Sequence, residues 1–385
     1  MVLPDYEEKS LVNLMSSVLQ GIGADSPYET LPGLEIQELR ESRNVVLLVL
    51  DGIGYEYLKE KGKDTILYEH LEEKLTSVFP SSTASAIPTL FIGLAPQKHA
   101  VTGWYTLVKE VGVVSTILPF EARFGEESLS EYGVDISTVL SYDPLMEDIS
   151  RGRYDVTLEN LKGSEFNSFY GQEFEQLGYS SLDELFQVLE RVLKKEDDKK
   201  FIRGYWDGFD TAAHEEGVKS VSASNRFLEI NHHLKDFVER IKDTDTTLLI
   251  TSDHGFIDTE EEKALRLDDH PALQRCLTLP FCGDQRTVFC YVSPSKTDKF
   301  ENYWEDNLSD FCDLHKSEHL VEKDYFGLFE PDPRLYDRIG DYTLIMKDDY
   351  IFYDTLQNEE EHFMIGNHGG TSEKEMYVPL SFVDF

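Results

Sequence analysis

Asp51, Asp210, His214, Asp253, His254 and His368 are carboxylate and imidazole side chains, most of them standing just beyond an apolar run. Carboxylate oxygens and neutral imidazole nitrogens are the donors that zinc takes, and manganese or iron accept the same set. Asp210 and His214 are four residues apart, so one helical turn or a tight loop aims both at one point. Asp253 and His254 are adjacent and can reach two neighbouring ions from a single turn. Thr83 lies in the stretch Phe79-Pro-Ser-Ser-Thr-Ala-Ser85, where a hydroxyl becomes a competent nucleophile once a cation or a base activates it. Each residue also has a structural explanation. Asp253 can cap a helix, His254 can be a polar loop residue, and Asp210 with His214 can be a solvated helical pair. The functional reading therefore rests on the set, each member at the edge of an expected strand.

The elements that must position these side chains are legible as apolar runs. Val45 to Leu50 is too uniformly apolar for a half-exposed strand and too short for a membrane span, so it reads as a central strand buried on both faces. Asp51 stands at its carboxyl end, where open α/β sheets place their ligands, with Gly52 and Gly54 allowing a sharp turn. Leu75–Phe79, Val113–Leu118, Phe201–Trp206, Thr246–Thr251 and Met376–Val383 read as further strands. Helical spacing marks Leu11 to Ile22, which Gly21 and Gly23 stop and which should pack outside the sheet. It also marks a segment from near Thr83, one capped by Ser181-Leu-Asp-Glu184, and a long one from Phe227 to Ile241. Strands alternating with helices imply an α/β layered fold, a mostly parallel central sheet flanked by helices, forming one domain over residues 1–385. Residues 121–178 and 260–354 have poor periodicity and read as insertions or cap segments, the second with short strands at Val288–Val292 and Tyr342–Met346.

Composition narrows the partners. The 385 residues carry 74 acidic against 36 basic side chains, a formal charge of −38, which repels nucleic acid and anionic membranes at long range. An anionic substrate then needs local positive charge, from basic residues or bound cations. The four cysteines are not in metal-site or Cys-x-x-Cys spacing, so free thiols are expected. The early acids Asp5, Glu7 and Glu8 leave no apolar signal-peptide core, and no run is long enough to span a membrane. A soluble, cytoplasmic protein is the expectation.

Taken in order, Leu-Asp-Gly-Ile-Gly (50–54), Phe-Pro-Ser-Ser-Thr-Ala-Ser (79–85), Gly-Leu-Ala-Pro-Gln-Lys-His (93–99), Asp210-x-x-x-His214, Thr-Ser-Asp-His-Gly (251–255) and Asn-His-Gly-Gly (367–370) resemble the alkaline phosphatase superfamily. The branch is similar to the type I phosphodiesterase/nucleotide pyrophosphatase proteins. That resemblance implies two divalent metal ions, typically zinc. Asp210, His214 and His368 match the ligands of one. Asp51, Asp253 and His254 match those of the other, which also binds the nucleophile Thr83. It implies in-line attack on phosphorus through a phosphothreonine intermediate. By chemistry alone Ser81, Ser82 and Ser85 rival Thr83.

The sequence departs from the family pattern at Trp104, which falls about where many nucleotide pyrophosphatases place a phosphate-binding Asn. A stacking platform and a core aromatic are both open readings for it. Pro88, early in the Thr83 helix, can bend that helix or shift its start. Arg286 is a phosphate contact or a structural arginine, and Asp207 is an outer carboxylate or a plain strand-end acid. The expected function is a two-metal phosphohydrolase acting on a phosphodiester or pyrophosphate bond of a small substrate, nucleotides included. The alternatives are a phosphomonoesterase, phosphonate hydrolase or phosphomutase with the same site, and a non-catalytic metal-binding scaffold. A sulfatase is disfavoured because no Cys/Ser-x-Pro-x-Arg signature surrounds Thr83.

Overall fold

In the computed structural model, which describes residues 1–125, 127–141, 145, 146, 149–196, 199–357, 359 and 363–384, the strand Asn44–Leu50 is buried at every residue. It lies at the middle of a seven-stranded sheet, parallel to Lys200–Trp206 on one side and Thr246–Thr251 on the other. Its side chains alternate between two cores. Val45, Leu47 and Val49 meet the helices Leu11–Ile22 and Thr83–Ile92, while Val46, Leu48 and Leu50 meet Leu182–Leu193 and Val221–Ile241. Burial of each such side chain stabilises by about 1.5–3 kcal/mol, which is why an unbroken apolar run belongs here. Across the sheet the order is Leu71–Thr76, Tyr377–Asp384, Thr246–Thr251, Asn44–Leu50, Lys200–Trp206, Gly152–Leu158 and Glu175–Tyr179. Tyr377–Asp384 runs antiparallel to both neighbours and the other pairings are parallel, so the fold is the expected α/β class.

Register gathers the functional segments. Val49 stands opposite both Tyr205 and Thr251, and Leu50 opposite Trp206, so three strands end level and release Asp51, Asp207 and Ser252-Asp253 at one edge. Because the last strand is antiparallel, its beginning lies at that edge, where Tyr377 pairs with Thr76. The segment before it, including His368, therefore arrives on the same side. The chain leaving Leu71–Thr76 also passes there before it reaches Thr83.

Several expectations need correction. The second strand is Leu71–Thr76, not Leu75–Phe79. As an edge strand it is paired on one side only, so Glu72 and Lys74 are tolerated and the charged spelling hid it. Residues 121–178 are not wholly an insertion, since Gly152–Leu158 and Glu175–Tyr179 are main-sheet strands. Asp155 interrupts the apolar pattern there, and it is accommodated by a buried pair with Arg203 at 2.8 Å. Positions 126, 142–144, 147 and 148 of that stretch lie outside the described residues.

The segment 260–354 supplies Cys282–Gly283, Thr287–Cys290, Cys312–Lys316 and Tyr342–Met346 to a second, antiparallel sheet, which is completed by Tyr105–Val108, Val113–Thr116 and Glu121–Ala122. The N-terminal helix is itself covered, with only Gln20 outside the buried set. Its polar Asn13, Ser16 and Ser17 bond to the backbone of Tyr6, Tyr28, Glu29 and Leu31. Gly21 lies within that helix against Leu39, and only Gly23 caps it, at φ 100°. Pro88 sits inside Thr83–Ile92 without moving its start. No helix among the described residues is long and apolar enough to cross a membrane, and the four cysteines are free and buried.

Candidate active site

Asp51 follows the central strand, and Gly52 turns the chain at φ 78°. A Cβ on Gly52 would stand 2.4 Å from the Phe256 ring and 3.4 Å from Asp210 Cα, so glycine is required for both reasons. Asp253 Oδ1 accepts the N–H groups of Gly52 and His254 at 3.2 and 3.1 Å, which locks the two strand ends together. Asp210 and His214 lie one turn apart on the helix Gly208–Glu216, with His214 Nε2 3.4 Å from Asp210 Oδ1. His368 follows the two-residue strand Gly366–Asn367, which pairs with Ile257–Asp258. Its ring stacks on His254 with centroids 3.7 Å apart, and its Nε2 is 3.2 Å from His214 Nε2.

These positions form two overlapping groups. Donor atoms of Asp210, His254 and His368 lie within 4.8 Å of one another, as do those of Asp51, Asp253 and His254. His254 is the hinge of both: its Nε2 is 3.3 Å from Asp51, 3.5 Å from Asp253 Oδ2 and 3.9 Å from Asp210 Oδ1. His214 joins the first group through Asp210 and His368. The donor set fits cations. Asp51 Oδ1, Asp210 Oδ1 and Asp253 Oδ2 are buried without a hydrogen-bond partner, and these three carboxylates meet with no buried protein cation between them among the described contacts.

Burial, then Asp210 and Asp253, pushes the Asp51 carboxyl well above its usual range. Burial also raises the Asp210 carboxyl, which the His214 and His254 rings ease. Burial, then the His254 and His214 rings, pushes the His368 imidazole well below its usual range. Each direction reports a site that lacks countercharge, and a bound cation would reverse it for the carboxylates. The tautomers suit this: with Nδ1–H of His254 donated to Gly255 O (3.1 Å) and that of His214 to Gly366 O (2.9 Å), each Nε2 lone pair is left to the site.

Thr83 is the first residue of the helix Thr83–Ile92, half-buried, with Oγ1 3.0 Å from His254 Nε2. The free N–H groups and dipole of that helix end favour a phosphoryl oxygen. Of its rivals, Ser81 donates to Gly370 O at 2.7 Å and Ser85 is fully buried within the helix. Asp207 stands at the N-cap position of the helix carrying Asp210 without a side-chain cap bond, and burial followed by Asp210 raises its carboxyl.

Trp104 is 39 % exposed, so the core reading does not hold for it. Arg286 is buried and bound to both Glu375 oxygens at 2.9 Å, which makes it structural. His99 is also buried, with Nδ1 accepting Val101 N–H and burial pushing its imidazole down to about 3.

Three site residues escaped the sequence reading. The Tyr205 hydroxyl donates to Asp51 Oδ2. Phe256 lies edge-on to His214, His254 and His368, with centroids 5.0 to 5.4 Å apart. Asp284 occupies a turn of the second sheet, with Oδ1 accepting Trp104 N–H at 3.1 Å. Burial pushes its carboxyl up to about 6, eased by the Trp104 N–H and the Ser82 hydroxyl. Tyr205 reads as one more strand residue, Phe256 as one more apolar residue, and Gly283-Asp284-Gln285-Arg286 as part of the cap segment. No local signal separates them from those roles.

Comparison with known proteins adds the following. The family model described as type I phosphodiesterase/nucleotide pyrophosphatase matches residues 45–371. No curated protein matches the chain. Among solved structures, murine ectonucleotide pyrophosphatase/phosphodiesterase 5, an inactive Thr→Ala variant in complex with AMP, superposes with a TM-score of 0.65 at 15% identity, covering 88% of this chain and 87% of that one. The human protein of the same name superposes at 0.64 with 17% identity and the same coverage.

Proposed function

The chain belongs to the type I phosphodiesterase/nucleotide pyrophosphatase family, and on that premise we propose that it is a two-metal hydrolase that cleaves phosphodiester or pyrophosphate bonds of nucleotides through a phosphothreonine at Thr83. The observation that carries the reading is the Thr83 hydroxyl, 3.0 Å from His254 Nε2, at a helix N-terminus beside two groups of donors able to hold a metal, each with an unpartnered buried carboxylate oxygen. Asp210, His214 and His368 would hold one ion and Asp51, Asp253 and His254 the other, with His254 close enough to both groups to couple them. Zinc suits these nitrogen and oxygen donors, and manganese is the second choice. Two such cations, when bound, supply acidification of a hydroxyl and charge stabilisation on attacking and leaving oxygens.

Within that site Thr83 Oγ1 forms the new bond to phosphorus as the bond to the departing oxygen opposite it breaks, and the threonine proton passes through solvent to that departing oxygen. The helix N-terminus offers N–H groups to a non-bridging oxygen as charge gathers there. Water then attacks phosphorus from the vacated side, releasing the phosphoryl product and regenerating the threonine hydroxyl. A nucleotide substrate is favoured by the AMP in the murine relative's structure.

The test compares bis(p-nitrophenyl) phosphate, p-nitrophenyl phosphate and p-nitrophenyl sulfate, with and without chelator. Diester hydrolysis that chelator removes is expected, and Thr83→Ala should abolish it while bound metal measured by elemental analysis changes little. Preference for the monoester would overturn the substrate class. Full activity of Thr83→Ala would end the nucleophile assignment, and absence of chelator-sensitive turnover on every ester would favour a scaffold.

A further inference from the structure

Asp284 belongs to neither ligand group, yet it is half-buried in a turn of the second sheet. It sits in the turn between Cys282–Gly283 and Thr287–Cys290, closed by bonds between Asp284 and Thr287 at 2.9 and 3.2 Å. Its Oδ1 accepts Trp104 N–H at 3.1 Å, and the Ser82 side chain, next to Thr83, lies close enough to ease the raised carboxyl. On its other side lies Gly369, next to His368, where an added Cβ would stand 3.0 Å from Asp284 Cβ. A Cβ on Gly103 would come within 2.9 Å of Oδ2, so the chain carries glycine on two sides of this carboxyl. Oδ2 itself is buried with no hydrogen-bond partner. Asp284 thus stands beside Ser82 and Gly369, the residues that adjoin Thr83 and His368. Arg286, which shares the turn with Asp284, is committed to Glu375, and the buried Arg123 to Asp354 and Glu359.

We infer that Asp284 is a specificity-determining residue, whose carboxylate beside Ser82 disfavours a second negative charge on the reacting phosphoryl group and so restricts the site to phosphodiesters and pyrophosphates over phosphomonoesters. This rests on the function proposed above. A diester carries one charge at phosphorus, whereas a monoester carries nearly two above pH 7. One extra unit charge at roughly 8 Å, in an effective dielectric of about 20, corresponds to about a thirtyfold discrimination.

The experiment measures kcat/KM for bis(p-nitrophenyl) phosphate and p-nitrophenyl phosphate with zinc-loaded wild type, Asp284→Asn and Asp284→Glu. It is run well above the carboxyl's raised pKa, so that Asp284 is ionised. Asp284→Asn, which keeps an acceptor for Trp104 N–H, should lower the diester-to-monoester ratio by roughly ten- to thirtyfold, and Asp284→Glu should restore it. An unchanged ratio in Asp284→Asn overturns the inference. Calorimetric binding of inorganic phosphate gives a readout without turnover. The Asn variant should bind it at least about tenfold more tightly than wild type, and equal or weaker binding counts against the inference. Asp284→Ser, smaller and also neutral, repeats both measurements should the amide variant not fold. A wild type that binds phosphate but hydrolyses neither ester would sink the proposed function, and the binding comparison would still decide Asp284.

Discussion

Tyr205 turns a lone acid into an aimed one. Its hydroxyl holds one oxygen of Asp51 and leaves the other, Oδ1, unpartnered toward Asp253 and His254. Groups that orient a metal ligand typically change affinity by about 10- to 100-fold when removed. Tyr205→Phe should therefore weaken metal binding to the Asp51 group by that factor, measured by competition with a chromogenic chelator, while the melting temperature of the metal-free protein barely falls. Unchanged affinity would show that Asp51 needs no such support. At this scale most of the candidate set was readable in the chain, because Asp, His and Thr announce their chemistry by type. Tyr205, Phe256 and Asp284 were not, because their roles depend on what faces them and not on what they are.

The edge of the main sheet is set by elements whose spelling is partly polar. Gly152–Leu158 is held to Lys200–Trp206 by parallel pairing and by the buried Asp155–Arg203 pair, whose guanidinium also lies 3.4 Å over the Phe91 ring of the Thr83 helix. A single pair thus binds an outer strand, the strand next to the central one and the helix that starts at Thr83. Asp155→Ala would leave Arg203 buried without countercharge and should destabilise the fold by about 3–5 kcal/mol in urea denaturation. The double variant Asp155→Ala/Arg203→Met should recover much of that loss, since it removes the orphaned charge. A loss below about 1 kcal/mol in the single variant would mean that water reaches the arginine. The central strands were legible because burial on both faces demands unbroken apolar runs. The edge strand Leu71–Thr76 and the penultimate strand Gly152–Leu158 were not, because one-sided pairing releases that demand in the first and an internal ion pair in the second.

Across the whole molecule, three site carboxylates add to a net charge of −38, so removal of the cations should be felt by the fold as well as by catalysis. In the metal-free protein Asp51 and Asp210 have carboxyls raised above the ordinary 3.8. Above that value the folded state keeps protons that the unfolded chain has lost, so their contribution is complete below 3.8 and disappears as pH rises through the raised values. Chelated protein should accordingly melt at a lower temperature at pH 8 than at pH 5, and added zinc should flatten that slope by holding the carboxylates ionised. Asp51→Asn should show a shallower slope in chelator, which separates the site from the general acidity of the surface. Identical slopes for wild type and Asp51→Asn, read by scanning calorimetry, would contradict this account.

Residue type and apolar periodicity by themselves determined the α/β class, the central strands and the roster of donors around Thr83, since burial and ligand chemistry are local demands that each residue must meet where it stands. Tertiary structure alone decided that Thr251, Leu50 and Trp206 end level, that an antiparallel last strand brings His368 to the same edge, and that a turn of a second sheet sets Asp284 beside Ser82. Those are facts of register and topology. They follow from which strands pair and in which direction, and a chain read from one end to the other does not carry that information in any single stretch.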